Sequence, residues 1–255
     1  MCTLLFLPHS FNAPPVGLVQ YEAYMTDDLH THETLMRELM SDERRTEYAT
    51  PYDHYHPGII ARIAAWLLVV PGSLIYGKKP SYRKFKAIEI IARIPYQSWE
   101  AASYTLLTLF HGDEQRALAL AKTTRWSRMA QDNETMHVVV VSHLVHKLGR
   151  ESFVRGIVIP VLFSLAYFAA VYVLYLIHRR SALELNYLFE NHAYAQYQEF
   201  LDRYGMVLKG RPVVSEFLSW YGREVKNEYE LFESLRNDEL IHRNRSIREI
   251  EARCC

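Results

Sequence analysis

Two copies of one short pattern, Glu134-Thr-Met-His137 and Glu239-Leu-Ile-His242, decide how this chain is interpreted. Residues three apart lie on the same face of an α-helix, so each copy can direct a carboxylate and an imidazole at one metal ion. A single copy is weak evidence, because the same spacing occurs by chance on solvated helix faces. The paired copies predict a site that binds two metal ions.

Two further glutamates are needed to complete such a site. In a di-iron carboxylate bundle, two helices each supply one Glu and two others each supply Glu-x-x-His, all directed inward. Glu89 and Glu190 are the candidates, because each lies in an apolar, helix-forming stretch where an uncompensated carboxylate is costly. This ligand set favours iron, whose cations carboxylates bridge and neutralise, whereas zinc sites more often contain thiolates.

Four blocks of sequence around these glutamates resemble those of a known family, the membrane-bound di-iron quinol oxidases. The family comprises the mitochondrial alternative oxidases and the plastid terminal oxidases. The blocks are Ile88-Glu-Ile-Ile-Ala-Arg-Ile-Pro-Tyr96, Asn133-Glu-Thr-Met-His137, Glu190-Asn-His-Ala-Tyr-Ala-Gln-Tyr197 and Arg236-Asn-Asp-Glu-Leu-Ile-His242, and the resemblance runs from about Ser81 to Arg248. The third block resembles the plastid type, since the mitochondrial form has a run of glutamates there.

The resemblance implies a role for each of several residues. The implied iron ligands are Glu89, Glu134, His137, Glu190, Glu239 and His242. Tyr197 is the implied catalytic, redox-active tyrosine, two helical turns after Glu190 on the same face. The implied quinol contacts are Ile88, Ala92, Phe189, His192 and Gln196. Asn133, Trp220, Arg236 and Asp238 are implied to form hydrogen bonds that orient the ligands.

Two positions leave the quinol contacts less defined. Lys84 stands where the family usually has an arginine, and a flexible ammonium does not reproduce the planar guanidinium. His192 could transfer quinol protons, because the unperturbed pKa of imidazole is near neutrality. A polar packing role without any part in catalysis explains His192 equally well.

The activity implied by the resemblance is oxidation of two quinols coupled to reduction of O2 to water, without proton pumping. Plastoquinol and ubiquinol are both candidate substrates, and a homodimer is expected. Two alternatives stay open: a di-iron hydroxylase acting on a quinone or lipid, and a non-enzymatic, membrane-embedded helical protein whose Glu and His residues hydrogen-bond one another. The second alternative predicts no bound iron and no loss of fold when Glu134 and His137 become apolar.

Composition excludes some classes of protein. Lys+Arg and Asp+Glu number 29 each among 255 residues, so no net basic charge indicates a nucleic-acid partner. The three cysteines, Cys2, Cys254 and Cys255, lie at the termini, where they form neither a disulfide framework nor a Cys-rich metal site.

Apolar stretches indicate membrane contact. The run from Gly156 to Ile177 has no charged residue and is long enough to cross a hydrocarbon core, whereas Ile63 to Tyr76 is short and interrupted by Pro71-Gly72. Glu134 and Glu190 flank the long run but must meet in one bundle. A helix packed in the bundle core, or one lying against a single leaflet, would resolve this conflict. The family resemblance implies the monotopic arrangement, in one leaflet of a thylakoid, plastid or bacterial-type membrane rather than the mitochondrial inner membrane. One or two true spans are the alternative.

Helical periodicity predicts an all-α fold. The ligand pattern and the family resemblance imply that it is a four-helix di-iron carboxylate bundle of the ferritin-like kind with additional amphipathic membrane-associated helices. We predict a polar helix from Thr26 to about Arg45 and further helices at about 59–76, 82–110, 113–148, 152–178, 181–204, 212–222 and 224–252. The predicted organisation is an N-terminal extension (1–57), a di-iron bundle domain (58–252) and a tail (253–255). The pairs His30/His32, His54/His56 and His143/His146 are interpreted as structural or solvated, since no carboxylate is evident beside them.

Overall fold

The computed structural model describes residues 28–252, so the predicted tail and the predicted helix start at Thr26 lie outside the described residues. The helices are α1 (Leu29–Glu38), α2 (Asp42–Ala49), α3 (Ile59–Tyr76), α4 (Tyr82–Phe110), α5 (Glu114–Lys147), α6 (Ile159–Lys209), α7 (Glu216–Tyr221) and α8 (Glu228–Glu251). A 3-10 turn (Thr50–Tyr52) and a π turn (Val154–Val158) join some of them. The all-α prediction is confirmed.

Four helices form the central bundle. α4 packs on both α5 and α6, and α8 packs on α6. Polar side chains cap three of these helices in the way their sequences predict: Ser81 accepts from the amide of Lys84, and Asp113 from that of Arg116. Asn227 likewise accepts from an amide in the first turn of α8. Each cap satisfies a backbone donor that the helix itself leaves unpaired.

The range of α6 covers most of the two helices predicted at 152–178 and 181–204, and they meet at a kink at the predicted boundary. One residue inside it, His178, has non-helical angles (φ −146°, ψ 71°), and the helix resumes directly after it. The His178 side chain accepts a hydrogen bond at Nδ1 from the amide of Ser181, 3.3 Å away. A side chain that satisfies the freed amide lets the helix continue through a kink, so no loop is needed.

Other predicted boundaries also change. The polar helix predicted to run to Arg45 is two helices, because α1 ends at Glu38 and α2 begins at Asp42. The helix predicted at 212–222 shortens to α7, since Pro212 forms an isolated β-bridge with Asn227. α3 continues through Pro71, where the sequence indicated an interruption.

The short helices α1 and α2 pack against α8. Leu35, Met36 and Leu39 of α1 form one apolar cluster with Leu240 and Ile241 of α8. The predicted domain boundary at residues 57/58 stays a prediction. Residues before that boundary nevertheless pack against α8, the helix that carries Glu239 and His242.

Apolar side chains are exposed along α3 and along the first half of α6. Trp66 of α3 is 61% exposed, and Leu165 of α6 is 65% exposed. Both helices are long and apolar enough to be candidate membrane spans, and little of each apolar window is buried, 11% in α3 and 17% in the helix that contains α6. Such large exposed apolar surfaces mark contact with a membrane or a partner.

Candidate metal centre

Six side chains from the four bundle helices meet in the interior. Glu89 comes from α4, Glu134 and His137 from α5, Glu190 from α6, and Glu239 and His242 from α8. All six are fully buried. The structure therefore brings together every residue that the sequence predicts as an iron ligand.

The six side chains form two overlapping groups. One group is Glu89, Glu134, His137 and Glu239, and the other is Glu134, Glu190, Glu239 and His242. Within each group the possible ligand atoms lie within 4.8 Å of one another. Each group has its own histidine and its own glutamate, and both include Glu134 and Glu239. Each group could hold one cation, and Glu134 and Glu239 would serve both.

Unpaired polar atoms show that these residues fit a metal better than they fit one another. Both carboxylate oxygens of Glu134 and of Glu239, and both ring nitrogens of His242, are buried without a hydrogen-bond partner. His242 Nδ1 lies 2.8 Å from Glu134 Oε1, at ion-pair distance but without the geometry of a hydrogen bond. Buried polar atoms are almost always paired in folded proteins. Cations between these lone pairs would satisfy them.

The orientation of His137 assigns a role to each of its ring nitrogens. Nδ1 lies 3.0 Å from Glu89, 3.4 Å from Glu134 and 3.5 Å from Glu239. Nε2 lies 2.8 Å from Oδ2 of Asp238. Nδ1 thus faces the carboxylates that would share a metal, while Nε2–H donates to Asp238. A carboxylate that accepts from the distal nitrogen is the usual support for a metal-ligating histidine.

The pKa values of the four glutamates reflect several carboxylates buried close together. Burial raises the pKa of Glu89 to about 7, and it raises the pKa of Glu190 to about 7. Burial also raises the pKa of Glu239, and the neighbouring Glu134 raises it further. For Glu134 burial acts in the same direction, but His137 and His242 outweigh it and lower the pKa to about 2. Cations would remove this repulsion.

Two buried tyrosines contact the glutamates. The hydroxyl of Tyr197 donates to Oε1 of Glu89, and its ring stacks on Phe85 with centroids 4.2 Å apart. The hydroxyl of Tyr96 donates to Oε1 of Glu190 at 2.7 Å. Tyr197 was predicted beside the centre, whereas Tyr96 was not. An aromatic residue two helical turns beyond a buried ligand and on the same face, as Tyr96 is from Glu89, was the signal available for it.

The four residues expected to orient the ligands lie in different places. Asp238 accepts from His137, as the resemblance implied. Asn133 donates to the buried hydroxyl of Tyr221 at 3.0 Å. Arg236 hydrogen-bonds Gln198 and its neighbour Asn237 and makes no described hydrogen bond to a ligand. Trp220 is 77% exposed, so its expected hydrogen bond at the centre is wrong.

Three residues near the centre were missed by sequence reasoning. His32 and Glu33 of α1 and Arg223 before α8 are all buried, and all three lie within one hydrogen bond of Asp238 or of one another. His32 had been interpreted as structural or solvated, and it is not solvated. The apolar spacing of Leu35, Met36 and Leu39 predicts that one face of α1 is buried, but it does not indicate against what.

A small cavity lies between α3, α4 and α6. It is narrow, with a volume of about 40 Å³, and Ile88, Phe189 and His192 line it. Lys84 also lines it and donates to Gln196 at 2.6 Å. Ala92 is fully buried in the apolar cluster beside it. Three of the five predicted quinol contacts therefore share one cavity, and a fourth is hydrogen-bonded to its wall.

A helical bundle whose interior holds four glutamates and two histidines in two overlapping groups defines the class of di-iron carboxylate proteins. Residues 76–248 match the family model described as alternative oxidase. The chain belongs to the alternative oxidase family, a family of di-iron oxidoreductases that use quinol and O2. The resemblance drawn from the sequence is thus confirmed at the family level. No curated protein and no solved structure matches the chain.

Proposed function

We propose that this protein is a quinol:oxygen oxidoreductase of the plastid terminal oxidase type, with two iron ions held by Glu89, Glu134, His137, Glu190, Glu239 and His242. The observation that carries the proposal is the pair of donor groups that share Glu134 and Glu239. Iron bound there would supply the site for O2 and accept the electrons of quinol. Oxidation of two quinols would balance the four electrons and four protons that convert O2 into two waters.

Tyr197 is the proposed catalytic residue between quinol and the centre. Its hydroxyl donates to Glu89, and burial raises its pKa well above the usual value. The phenol therefore stays protonated and can give up an electron only together with a proton, for which Glu89 is the nearest acceptor. A tyrosine in this position can relay one electron and one proton without moving any other group.

The cavity beside α3 is the proposed quinol site. Lys84 donates to Gln196 and to the carbonyl of Lys78, so its ammonium is held in place at the cavity wall. Burial lowers the pKa of His192, and Lys84 lowers it further. A neutral imidazole can accept a proton from a quinol hydroxyl. Leu68, Gly72 and Tyr76 of α3 form another wall.

The membrane arrangement proposed here is monotopic. α3 lines the cavity on one side and exposes apolar side chains on the other, so a quinol in one leaflet would reach the cavity past this helix. The plastid-type third block favours plastoquinol and a thylakoid, plastid or bacterial-type membrane. Proposals that rest on the family resemblance alone are ubiquinol as the second candidate, the lack of proton pumping, and homodimerisation.

The unpaired atoms at the centre argue against the non-enzymatic alternative. That alternative requires the buried Glu and His residues to satisfy one another by hydrogen bonds. Glu134, Glu239 and His242 lie at ion-pair distance from partners within the centre, but their carboxylate oxygens and ring nitrogens form no well-aligned hydrogen bond. The hydroxylase alternative uses the same ligands, and the reaction products distinguish it from an oxidase.

Oxygen uptake tests the proposed activity. Membranes that contain the protein would receive decyl-plastoquinol or ubiquinol while cytochrome oxidases are blocked, beside membranes with Glu239→Ala. We expect uptake in the first sample and none in the second, with two quinols consumed per O2. Uptake that inserts oxygen into the quinone or a lipid would favour the hydroxylase, and no uptake from an iron-loaded sample would exclude the oxidase.

Tyr197→Phe tests the proposed electron relay. The matched control is Tyr204→Phe on the same helix, because Tyr204 is 41% exposed and lies away from the centre. We expect Tyr197→Phe to keep its iron and to lower kcat by roughly 10²-fold or more, since a proton-coupled group in the transition state contributes about that factor. Equal kcat values for the two variants would remove Tyr197 from the mechanism.

A further inference from the structure

α1 lies outside the part of the chain that matches the alternative oxidase family, residues 76–248. It nevertheless reaches the interior beside the metal centre. His32, on α1, is fully buried, and its ring centroid lies 5.6 Å from that of His242. Burying a histidine at that depth costs free energy unless its ring is hydrogen-bonded, and Nδ1 of His32 has no hydrogen-bond partner, so the contact of Nε2 must offset this cost.

The partner of His32 is Asp238. His32 Nε2 lies 2.8 Å from Oδ1 of Asp238, and His137 Nε2 lies 2.8 Å from Oδ2 of the same carboxylate. Asp238 therefore has one oxygen for each imidazole. A proton donated by His32 fixes the rotation of the carboxylate plane, and that plane in turn decides where the His137 ring can lie.

Arg223 and Glu33 complete the support. The guanidinium of Arg223 donates to both oxygens of Asp238 and to both oxygens of Glu33. Arg223 is buried, and Glu33 neighbours His32 on α1. Without Glu33, the Nε–H of Arg223 and one N–H of its Nη2 would lose their carboxylate acceptor. His32 therefore contacts Asp238 directly, whereas Glu33 is linked to Asp238 only through the guanidinium of Arg223.

Trp220 takes no part in this support. The resemblance implied that this indole takes part in the hydrogen bonds around the centre, but it is exposed in this protein. The side chains found on Asp238, apart from the ligand His137, are Arg223 and His32.

We propose that α1 completes the metal centre, with His32 and Glu33 as positioning residues that hold Asp238 so that Nδ1 of His137 faces the shared carboxylates. The inference rests on the proposed six-residue iron set and does not depend on which quinol is oxidised. Neither residue touches the iron site itself. Their effect passes through Asp238 to His137, and the loss of outer partners of this kind typically lowers metal affinity or activity by about 10- to 100-fold.

Iron release from the full-length protein tests this inference. Protein loaded with ferrous iron would be mixed with a chromogenic chelator, and the release rate would be measured for wild type, His32→Phe and His32→Gln. Phe keeps the ring volume without a donor, whereas Gln places an amide N–H near the position of Nε2. The matched control is His30→Phe, since His30 is exposed on the same helix.

We expect His32→Phe to release iron roughly 10- to 100-fold faster than wild type, which is the usual cost of losing an outer partner. His32→Gln should recover at least half of that loss on a logarithmic scale, and His30→Phe should match wild type. The Mössbauer spectrum of the oxidised protein should change in His32→Phe for one of the two irons, while far-ultraviolet circular dichroism stays the same. A merely structural role would not alter one iron selectively.

Three outcomes would overturn the inference. The first is a His32→Phe release rate within twofold of wild type. The second is equal release from the Phe and Gln variants, which would assign the effect to packing. The third is a wild-type protein that binds no iron, which would overturn the six-residue set as well. Should His32→Phe fail to fold, Glu33→Gln decides by the same measurement: faster release supports the inference and an unchanged rate contradicts it.

Discussion

α8 and α3 invert the usual relation between polarity and burial. α8 is rich in charged residues, yet Arg243, Arg245 and Asp238 are almost fully buried within it. α3 is apolar, yet Ile63, Trp66 and others are exposed. Lys, Arg, Asp and Glu are almost never buried unless they are paired, and large apolar surfaces are seldom left in water.

The burial of charges in α8 and the exposure of apolar side chains in α3 have separate physical reasons. Charges in α8 are tolerated because nearly every one has a partner: Arg243 donates to Asp53 at 2.8 Å, Arg245 to Glu249 at 2.8 Å, and Asp238 accepts from three side chains. The apolar side chains of α3 are tolerated if lipid replaces water around them, as we propose. Burial of α8 therefore depends on the partners of its charges in the interior, and exposure of α3 depends on the solvent or lipid around the protein.

The largest expected effect is the loss of a buried cation near α8. Arg223→Met would leave Asp238 and Glu33 buried without their shared guanidinium. We expect the free energy of unfolding to fall by about 3–5 kcal/mol, the usual cost of breaking a buried ion pair. Arg128→Met is the control, since the Arg128 side chain is 57% exposed, and its loss should cost less than about 1 kcal/mol. Urea unfolding measures both, and equal losses would contradict the comparison.

The second effect concerns the metal-free protein and its pH dependence. Glu89 and Glu190 have pKa values raised by burial from 4.5 to about 7, so the folded state binds more protons than the unfolded state between those values. Stability should therefore fall as the pH rises from about 5 to about 8, by on the order of a few kcal/mol. The raised pKa values of His137 and His242 act in the same direction at the upper end.

Glu134 and His32 have lowered pKa values, so their contributions to stability rise with pH instead of falling. The lowered pKa of Glu134 contributes stability that is lost only as the pH falls through its folded value of about 2. Burial lowers the pKa of His32, so its contribution rises with pH below its unfolded value. Thermal unfolding of chelator-treated protein at several pH values checks the prediction. Iron-loaded protein should show a flatter profile, and identical profiles would contradict a role for these carboxylates in metal binding.

The third effect tests the outer surface. Ile63→Glu combined with Leu67→Glu places two charges on the exposed face of α3, where these side chains are 54% and 55% exposed. Each apolar side chain transferred out of water contributes about 1.5–3 kcal/mol, so binding to lipid vesicles should weaken by roughly tenfold or more. Stability in detergent should change by less than about 0.5 kcal/mol. Ile63→Val with Leu67→Met is the control, and vesicle binding that survives the charged pair would argue against lipid contact there.

The smallest effect is expected at helix starts, which should not depend on the surroundings of the helix. Asn227 Oδ1 accepts from the amide of Glu230 at 3.0 Å at the start of α8, and Asp113 Oδ1 accepts from that of Arg116 at 3.1 Å at the start of α5. Asn227→Ala and Asp113→Ala should each cost about 1 kcal/mol, measured by urea unfolding. A much larger cost at Asn227 would show that the buried helix depends on its cap.

Much of the centre could be predicted because its signals are local. A carboxylate and an imidazole three residues apart share a helix face wherever the helix packs, so Glu134 with His137 and Glu239 with His242 were identifiable as pairs. Glu89 and Glu190 were identifiable because they interrupt apolar stretches. Helix boundaries were less accurate at 39–41, where turn hydrogen bonds end one helix and begin the next, whereas the kink at His178 lies at a predicted boundary.

The sequence by itself determined the helical class, the six residues at the centre and the family, since all of these depend on periodicity and short spacings along the chain. Only the tertiary structure decided that Glu134 and Glu239 belong to both donor groups, that Tyr96 contacts Glu190, and that Trp220 is exposed. It also decided that His32 reaches Asp238, 206 residues away in sequence. Contacts between residues so far apart depend on how helices pack, and packing is set by the whole core rather than by any local pattern.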